Sequence, residues 1–191
     1  MTNAMYDFWV FPNEVNKSVC DKIIDTPKDD WKSAEVYDYA NDGNLRVDEE
    51  ERVSDISWCD ERWLYDLVWD YLRIANKNSE WNFQIDSCEA MQIARYNKDG
   101  HFKFHQDGNG FTQFENDNKF TNGKTRKLSM SIILNDDYEG GEFEFFNHNN
   151  QITDKTGTVI VFPSYMIHKV NPVISGTRYS LVTWFCGEPF K

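Results

Sequence analysis

The sequence predicts a mainly β protein with flanking helices, an antiparallel sandwich or barrel braced by helices on one side. Three observations predict it. The first third carries two stretches with apolar residues at helical spacing. After Ser79 the apolar period drops to two and stays there through a series of short segments. Clusters of Asn, Asp and Gly separate those segments. Helices followed by strands fit an α+β arrangement better than alternating βαβ units.

Taken in order, residues 13–24 place Val15, Val19, Cys20 and Ile23 on one helical face, and Pro27 closes the segment. Residues 60–75 repeat the pattern with Trp63, Leu64, Leu67, Val68, Tyr71 and Leu72. Both stripes read as helices packing on a sheet. Residues 89–96 then alternate as a strand. Phe102, Phe104 and Gln106 oppose Lys103, His105 and Asp107. Leu128, Met130, Ile132 and Leu134 oppose Ser129, Ser131, Ile133 and Asn135, and Phe143 and Phe145 oppose Glu142 and Glu144. Residues 158–162 form a short apolar run of buried-strand type, and residues 177–186 close the series. The stretches 135–141 and 147–150 supply turn chemistry. Residues 108–125 break the order: they are rich in Asn, Gly and Thr and begin directly after Asp107. A lid over the neighbouring residues is one reading of them, a mobile insertion the other.

Composition narrows the function. The chain has 191 residues, 40% hydrophobic and 16% aromatic, which suits one domain over 1–191 with a real core. Helical and strand support lies in 1–80 and the strand core in 85–187. The net charge is −12, from 32 acidic and 20 basic residues, with no Lys/Arg-rich run. A nucleic-acid partner is therefore not expected. Cys20, Cys59, Cys88 and Cys186 are scattered without a CxxC pair and read as buried thiols in a reducing compartment. The N-terminal stretch lacks a basic region followed by a long apolar one. No apolar run approaches the ~20 residues that span a bilayer. The expectation is a soluble, cytoplasmic protein with no membrane partner.

The chemistry gathers in His105-Gln106-Asp107, with His168 downstream. An acid two residues after a histidine is weak alone, since this acid content gives about 0.7 such pairs by chance. Strand parity strengthens it, because residues 105 and 107 would share a face. Two imidazoles and one carboxylate can hold one face of an iron(II) ion and leave the other open. His168, just after the run ending in Pro163, is the candidate third ligand. His101 is too far along an extended strand to join it and reads as flanking or exposed. His148 reads as a solvated turn residue. Arg178 shares a strand face with Ser180, Val182 and Trp184. If that face is interior, its guanidinium needs an anion, either a protein carboxylate or a ligand.

These residues, taken together, resemble the 2-oxoglutarate and iron(II)-dependent dioxygenases, specifically their prolyl 4-hydroxylase-like branch. The likeness rests on Tyr96-Asn-Lys-Asp-Gly100-His-Phe-Lys-Phe-His105-Gln-Asp107, on Ser129-Met-Ser-Ile-Ile-Leu134 and on Tyr138-Glu-Gly-Gly-Glu-Phe-Glu-Phe145. It continues in Gly157-Thr-Val-Ile-Val-Phe-Pro163, His168-Lys-Val170 and Gly176-Thr-Arg-Tyr-Ser180, with Arg52-Val-Ser54 upstream. One departure is Asp99, where the branch has glycine.

The resemblance implies a double-stranded β-helix, the jelly roll of cupin-like proteins. It implies His105, Asp107 and His168 as metal ligands and Arg178 as the clamp on the distal carboxylate of 2-oxoglutarate. Tyr96 and Ser180 are further co-substrate contacts. Fe(II), 2-oxoglutarate and O2 are the implied cofactor and co-substrates, with ascorbate a candidate reductant. The implied reaction is hydroxylation of proline in a peptide or protein, yielding succinate and CO2. Two alternatives stay open: a hydroxylase of a free amino acid or other small molecule, and a non-catalytic metal-binding jelly-roll module. Arg178 argues against the second, since a bare metal scaffold does not need it.

Overall fold

A computed structural model of the chain describes residues 6–190, apart from 28–29, 39–43, 116–117, 119, 149–151 and 153. In chain order its elements are β1 (Trp9–Phe11), α1 (Lys17–Ile24), β2 (Lys32–Ser33), β3 (Val36–Asp38), β4 (Asn44–Arg46), β5 (Arg52–Val53), β6 (Asp55–Cys59), α2 (Arg62–Asn78), β7 (Ser87–Cys88), β8 (Met91–Tyr96), β9 (His101–His105), β10 (Thr125–Ile133), β11 (Glu139–Gly140), β12 (Phe143–Phe145), β13 (Val159–Pro163), β14 (His168–Val170), β15 (Val173–Ser175) and β16 (Arg178–Gly187). The larger sheet runs β1-β13-β10-β16-β8-β6-β2, with β7 also pairing β16, and the smaller runs β12-β14-β9-β5. All these ladders are antiparallel.

The period of two in the sequence sorts the larger sheet into two faces. Leu128, Met130, Ile132, Val159, Val161, Leu181 and Phe185 point to one side and pack with Leu64, Val68, Leu72 and Ala75 of α2 and with Cys20 and Ile23 of α1. Burying each large aliphatic side chain there contributes about 1.5–3 kcal/mol before entropy is counted. The alternate residues face the smaller sheet. Ile133, Ile160 and Phe162 meet Phe143 and Phe145 across the interior, and Ala94 and Tyr96 meet Val170. Two antiparallel sheets closed over one core, with helices outside the larger, make the jelly roll.

Several local expectations are corrected. The first helix starts at Lys17 rather than at residue 13. Asn13 adopts φ +53, and the Val15 N–H donates to the Gly157 carbonyl instead of entering a helical turn. Gly157 itself sits at φ +83 against the Val15 backbone, an approach no Cβ tolerates. The 135–141 stretch is more than a turn, since β11 within it pairs β15. Of the 147–150 turn, Asn147 adopts φ +62, while 149–150 lie outside the described residues. His148 is half-buried rather than solvated, edge-on to Phe8 at 5.6 Å.

The parity of β9 is also corrected. Against β14, His105 opposes His168 but Phe102 opposes Val170, so β9 spends three residues where its partner spends two. That bulge re-aims the strand. Phe102 and His105 therefore face inward together, their rings stacked at 3.5 Å, while Phe104 is exposed. Phe102 and His105 do not oppose each other as simple alternation predicts.

Candidate functional site

The strand ends bring the sequence-singled residues to one cavity between the sheets. His105 closes β9, Asp107 follows it by two residues, and His168 opens β14 directly across the ladder. Their candidate ligand atoms all lie within 4.8 Å of one another. His105 Nε2 is 3.7 Å from Asp107 Oδ1, and His168 Nε2 is 3.7 Å from Asp107 Oδ2. Each imidazole faces a backbone carbonyl through its other nitrogen: His105 Nδ1 at 2.8 Å from the Lys103 oxygen, His168 Nδ1 at 2.9 Å from the Met166 oxygen. Those carbonyls select the Nδ1–H tautomers and leave the Nε2 lone pairs aimed at the carboxylate. Phe102 stacks on His105, and Phe143 lies nearly parallel to His168 at 5.3 Å.

The electrostatics suit a cation. Burial, with His168 adding to it, pushes the His105 pKa down to about 3, so the ring is a neutral lone-pair donor at neutral pH. Burial also penalises the Asp107 carboxylate, but His168, His105 and Arg126 hold it below the usual carboxylate range. Asp107 Oδ2 is buried without a hydrogen-bond partner. Two imidazoles whose Nε2 atoms face a carboxylate with an orphaned oxygen fit a divalent ion.

The Asp107 backbone is held from behind. Arg126 makes a two-pronged pair with Glu89, at 2.6 and 2.7 Å, lies 3.9 Å over the Trp184 ring, and donates from Nη1 to the Asp107 carbonyl at 3.3 Å. The N–H groups of Asp107 and Gly108 both donate to the Ser164 carbonyl. This turns the chain away from the cavity. None of the described residues of 108–125 lines the cavity. Gly110 accepts the Phe190 N–H at 3.0 Å and packs under its ring.

Arg178 opens β16 and is 1% exposed, on the interior face as the alternation predicts. Its Nη1 donates to Ser180 Oγ at 3.2 Å, and Tyr96, its partner across the β8–β16 ladder, places a ring 5.4 Å from the guanidinium. Nε and Nη2 have no hydrogen-bond partner. The protein-carboxylate explanation of this buried charge thus finds no bonded acid, and an anionic ligand can complete it. His101 stays outside, beside the Asp99 and Glu50 carbonyls.

Sequence reasoning missed other residues here. Arg52, noted only as part of a motif, is 8% exposed and lines the cavity, donating to Gln92 Oε1 and Ser54 Oγ at 2.8 Å each. Glu89 and Arg126 meet across 37 positions of sequence, which no spacing rule encodes.

Inside a jelly roll, two imidazoles and one carboxylate meet beside a buried guanidinium, donor types that suit a divalent ion and an anion. The model of the 2OG-Fe(II) oxygenase superfamily matches residues 91–186, half of the sequence, and the chain belongs to that superfamily. Membership implies Fe(II), 2-oxoglutarate and O2. A PKHD-type hydroxylase of Synechococcus sp. (strain CC9902) is 39% identical over 72 residues, 36% of this chain and 32% of the relative. The match thus spans about a third of that protein's length. The viral collagen prolyl hydroxylase of Paramecium Bursaria Chlorella virus-1, solved with 2OG, superposes with a TM-score of 0.70 at 18% identity, over 98% of this chain and 99% of that one. A Trichoplax adhaerens prolyl hydroxylase, solved with a hypoxia inducible factor peptide fragment, gives 0.70 at 18% identity, over 96% and 84%. At such identity these two structures speak for the shared fold. Among the described residues, no helix is long and apolar enough to cross a membrane.

Proposed function

We propose that this chain is a 2-oxoglutarate- and Fe(II)-dependent dioxygenase that hydroxylates a prolyl residue in a peptide or protein, forming succinate and CO2. The observation that carries the reading is the opening of His105, Asp107 and His168 onto the same cavity as the unsatisfied guanidinium of Arg178. His105, Asp107 and His168 would hold the metal. When bound, iron supplies the oxygen-activating chemistry that couples oxidative decarboxylation of the keto acid to hydroxylation of a C–H bond.

The chain's own residues bind, orient and exclude water. The Lys103 and Met166 carbonyls keep both imidazoles in the coordinating tautomer. Arg178, Ser180 and Tyr96 receive the distal carboxylate of 2-oxoglutarate, where a charge-assisted bond to a buried guanidinium replaces lost hydration. Phe102, Phe143 and Phe162 dry the space around the cluster. The prolyl substrate rests on the resemblance to prolyl hydroxylases. Ascorbate is the reductant of choice for the assay.

The decisive experiment has two stages. Anaerobic Fe(II) and 2-oxoglutarate together should give a charge-transfer absorption that neither gives alone; its absence would favour a non-catalytic metal module. Turnover with a panel of proline-containing peptides should then produce succinate and a mass gain of about 16 Da, one oxygen atom. Turnover with free amino acids only would move the substrate to the small-molecule class. Asp107→Ala should abolish succinate formation, and near-normal succinate from that variant would remove Asp107 from the ligand set.

A further inference from the structure

His105 is the less enclosed of the two clustered histidines. Its side chain is 19% exposed, against 6% for His168. The Lys103 carbonyl holds one edge of its ring at 2.8 Å. One hydrogen bond fixes an edge but leaves the plane loose, because the outer side-chain torsion of histidine has a broad well. Phe102 sets the plane: its ring lies 3.5 Å away and 11° from parallel. Phe102 is supported in turn. Its partner across the β5–β9 ladder is Arg52, whose guanidinium carbon stands 4.7 Å over the phenyl ring. An imidazole stacked at 3.5 Å fills one face of that ring, so the guanidinium occupies the other.

We propose that Arg52 is a positioning residue for the metal centre: its guanidinium, Phe102 and His105 form one stack that holds the imidazole in its coordinating orientation. The proposal rests on the reading of His105 as a metal ligand. Arg52 is anchored on two sides for this task. Nε donates to Ser54 Oγ and Nη2 to Gln92 Oε1, each at 2.8 Å. Ser54 directly follows β5 of the smaller sheet and Gln92 belongs to β8 of the larger, so the guanidinium is fixed between the sheets.

Both of those partners are neutral. Arg52 is 8% exposed and has no bonded carboxylate among the described residues, which makes its charge costly to bury. Arg95, by contrast, is paired with Asp55 at 2.9 Å. The negative face of the Phe102 ring gives Arg52 the attraction that no acid supplies, and the same attraction holds the ring against His105. His168 needs no such device. Phe143 lies nearly parallel to it at 5.3 Å and Phe162 meets it edge-on at 4.7 Å.

The test is a double-mutant cycle on metal-free protein. It reads the Kd of Co(II) by calorimetry and the visible absorption of the Co(II) form, whose bands report ligand geometry. Arg52→Gln should weaken Co(II) binding about tenfold or more and shift the bands, as expected for losing a group that orients a ligand. Phe102→Leu should do the same. The double variant should bind no more weakly than Phe102→Leu alone, because the guanidinium acts only through the ring. Melting temperatures of the metal-free variants separate folding from metal binding, and Arg52→Met, with the same expected result, takes the place of Arg52→Gln if that variant does not fold. An unchanged Kd and spectrum in the Arg52 variant, or losses that add in the double variant, would overturn the stack. His105→Ala tests the underlying reading. Wild-type Co(II) affinity in that variant removes His105 from the ligand set, and both readings fall. Loss in His105→Ala with none in the Arg52 variant overturns the role of Arg52 alone.

Discussion

At the scale of single residues, the cavity combines satisfied and unsatisfied groups in a functional pattern. The imidazole Nδ1 atoms are occupied by backbone carbonyls, which leaves the Nε2 atoms for a metal. Arg178 is the opposite case, with two donors unused although the residue is 1% exposed. Arg178→Ala should raise the 2-oxoglutarate requirement about tenfold or more, the worth of a lost charge-assisted hydrogen bond. Equal apparent affinities in steady-state titration would reject the clamp. Arg126 touches neither candidate ligand atom nor cavity, yet it holds the Asp107 carbonyl. Arg126→Gln should weaken Fe(II) binding about tenfold or more, the usual cost of losing an outer-shell partner. An unchanged Fe(II) dissociation constant would assign Arg126 to packing alone.

At the scale of elements, β9 matters most. Its alternation is plain in the sequence, but the extra residue between Phe102 and His105 is not. A bulge depends on which strand lies beside it, and β14 comes more than sixty residues later. Deleting Lys103 should restore regular pairing and turn His105 outward. Far-UV circular dichroism should then stay near wild type while Fe(II) binding is lost. Retained Fe(II) affinity would show that the bulge does not aim the ligand. The helices were easier to see. Leu64, Val68 and Leu72 recur at a spacing that only a helix folds into one stripe, and all three are buried on the larger sheet.

For the whole molecule, two buried groups pull stability in opposite directions with pH. His105 has a folded pKa of about 3, below the ordinary histidine value of about 6.5. The unfolded chain binds more protons between those values, so His105 costs stability as pH falls from about 6.5 toward 3. Asp154 has a folded pKa of about 6, above the ordinary aspartate value. The folded chain binds more protons there, so Asp154 adds stability as pH falls from about 6 toward 4. Asp154→Asn removes the second contribution only. In metal-free protein its urea midpoint should fall more steeply than wild type between about pH 6 and 4. Parallel profiles would rule out a buried, raised Asp154.

By itself the sequence determined the class of fold and the residues with metal-ligand chemistry. Hydrophobic period is a local property, and His105, Asp107, His168 and Arg178 stand in motifs a reader can see. Tertiary structure alone decided how they meet. The β9–β14 ladder set His105 opposite His168, and the β9 bulge gave the inward aim that parity misassigned. The Arg126–Glu89 pair joins residues 37 positions apart through packing. Such contacts depend on which strands become neighbours, and no local spacing carries that information.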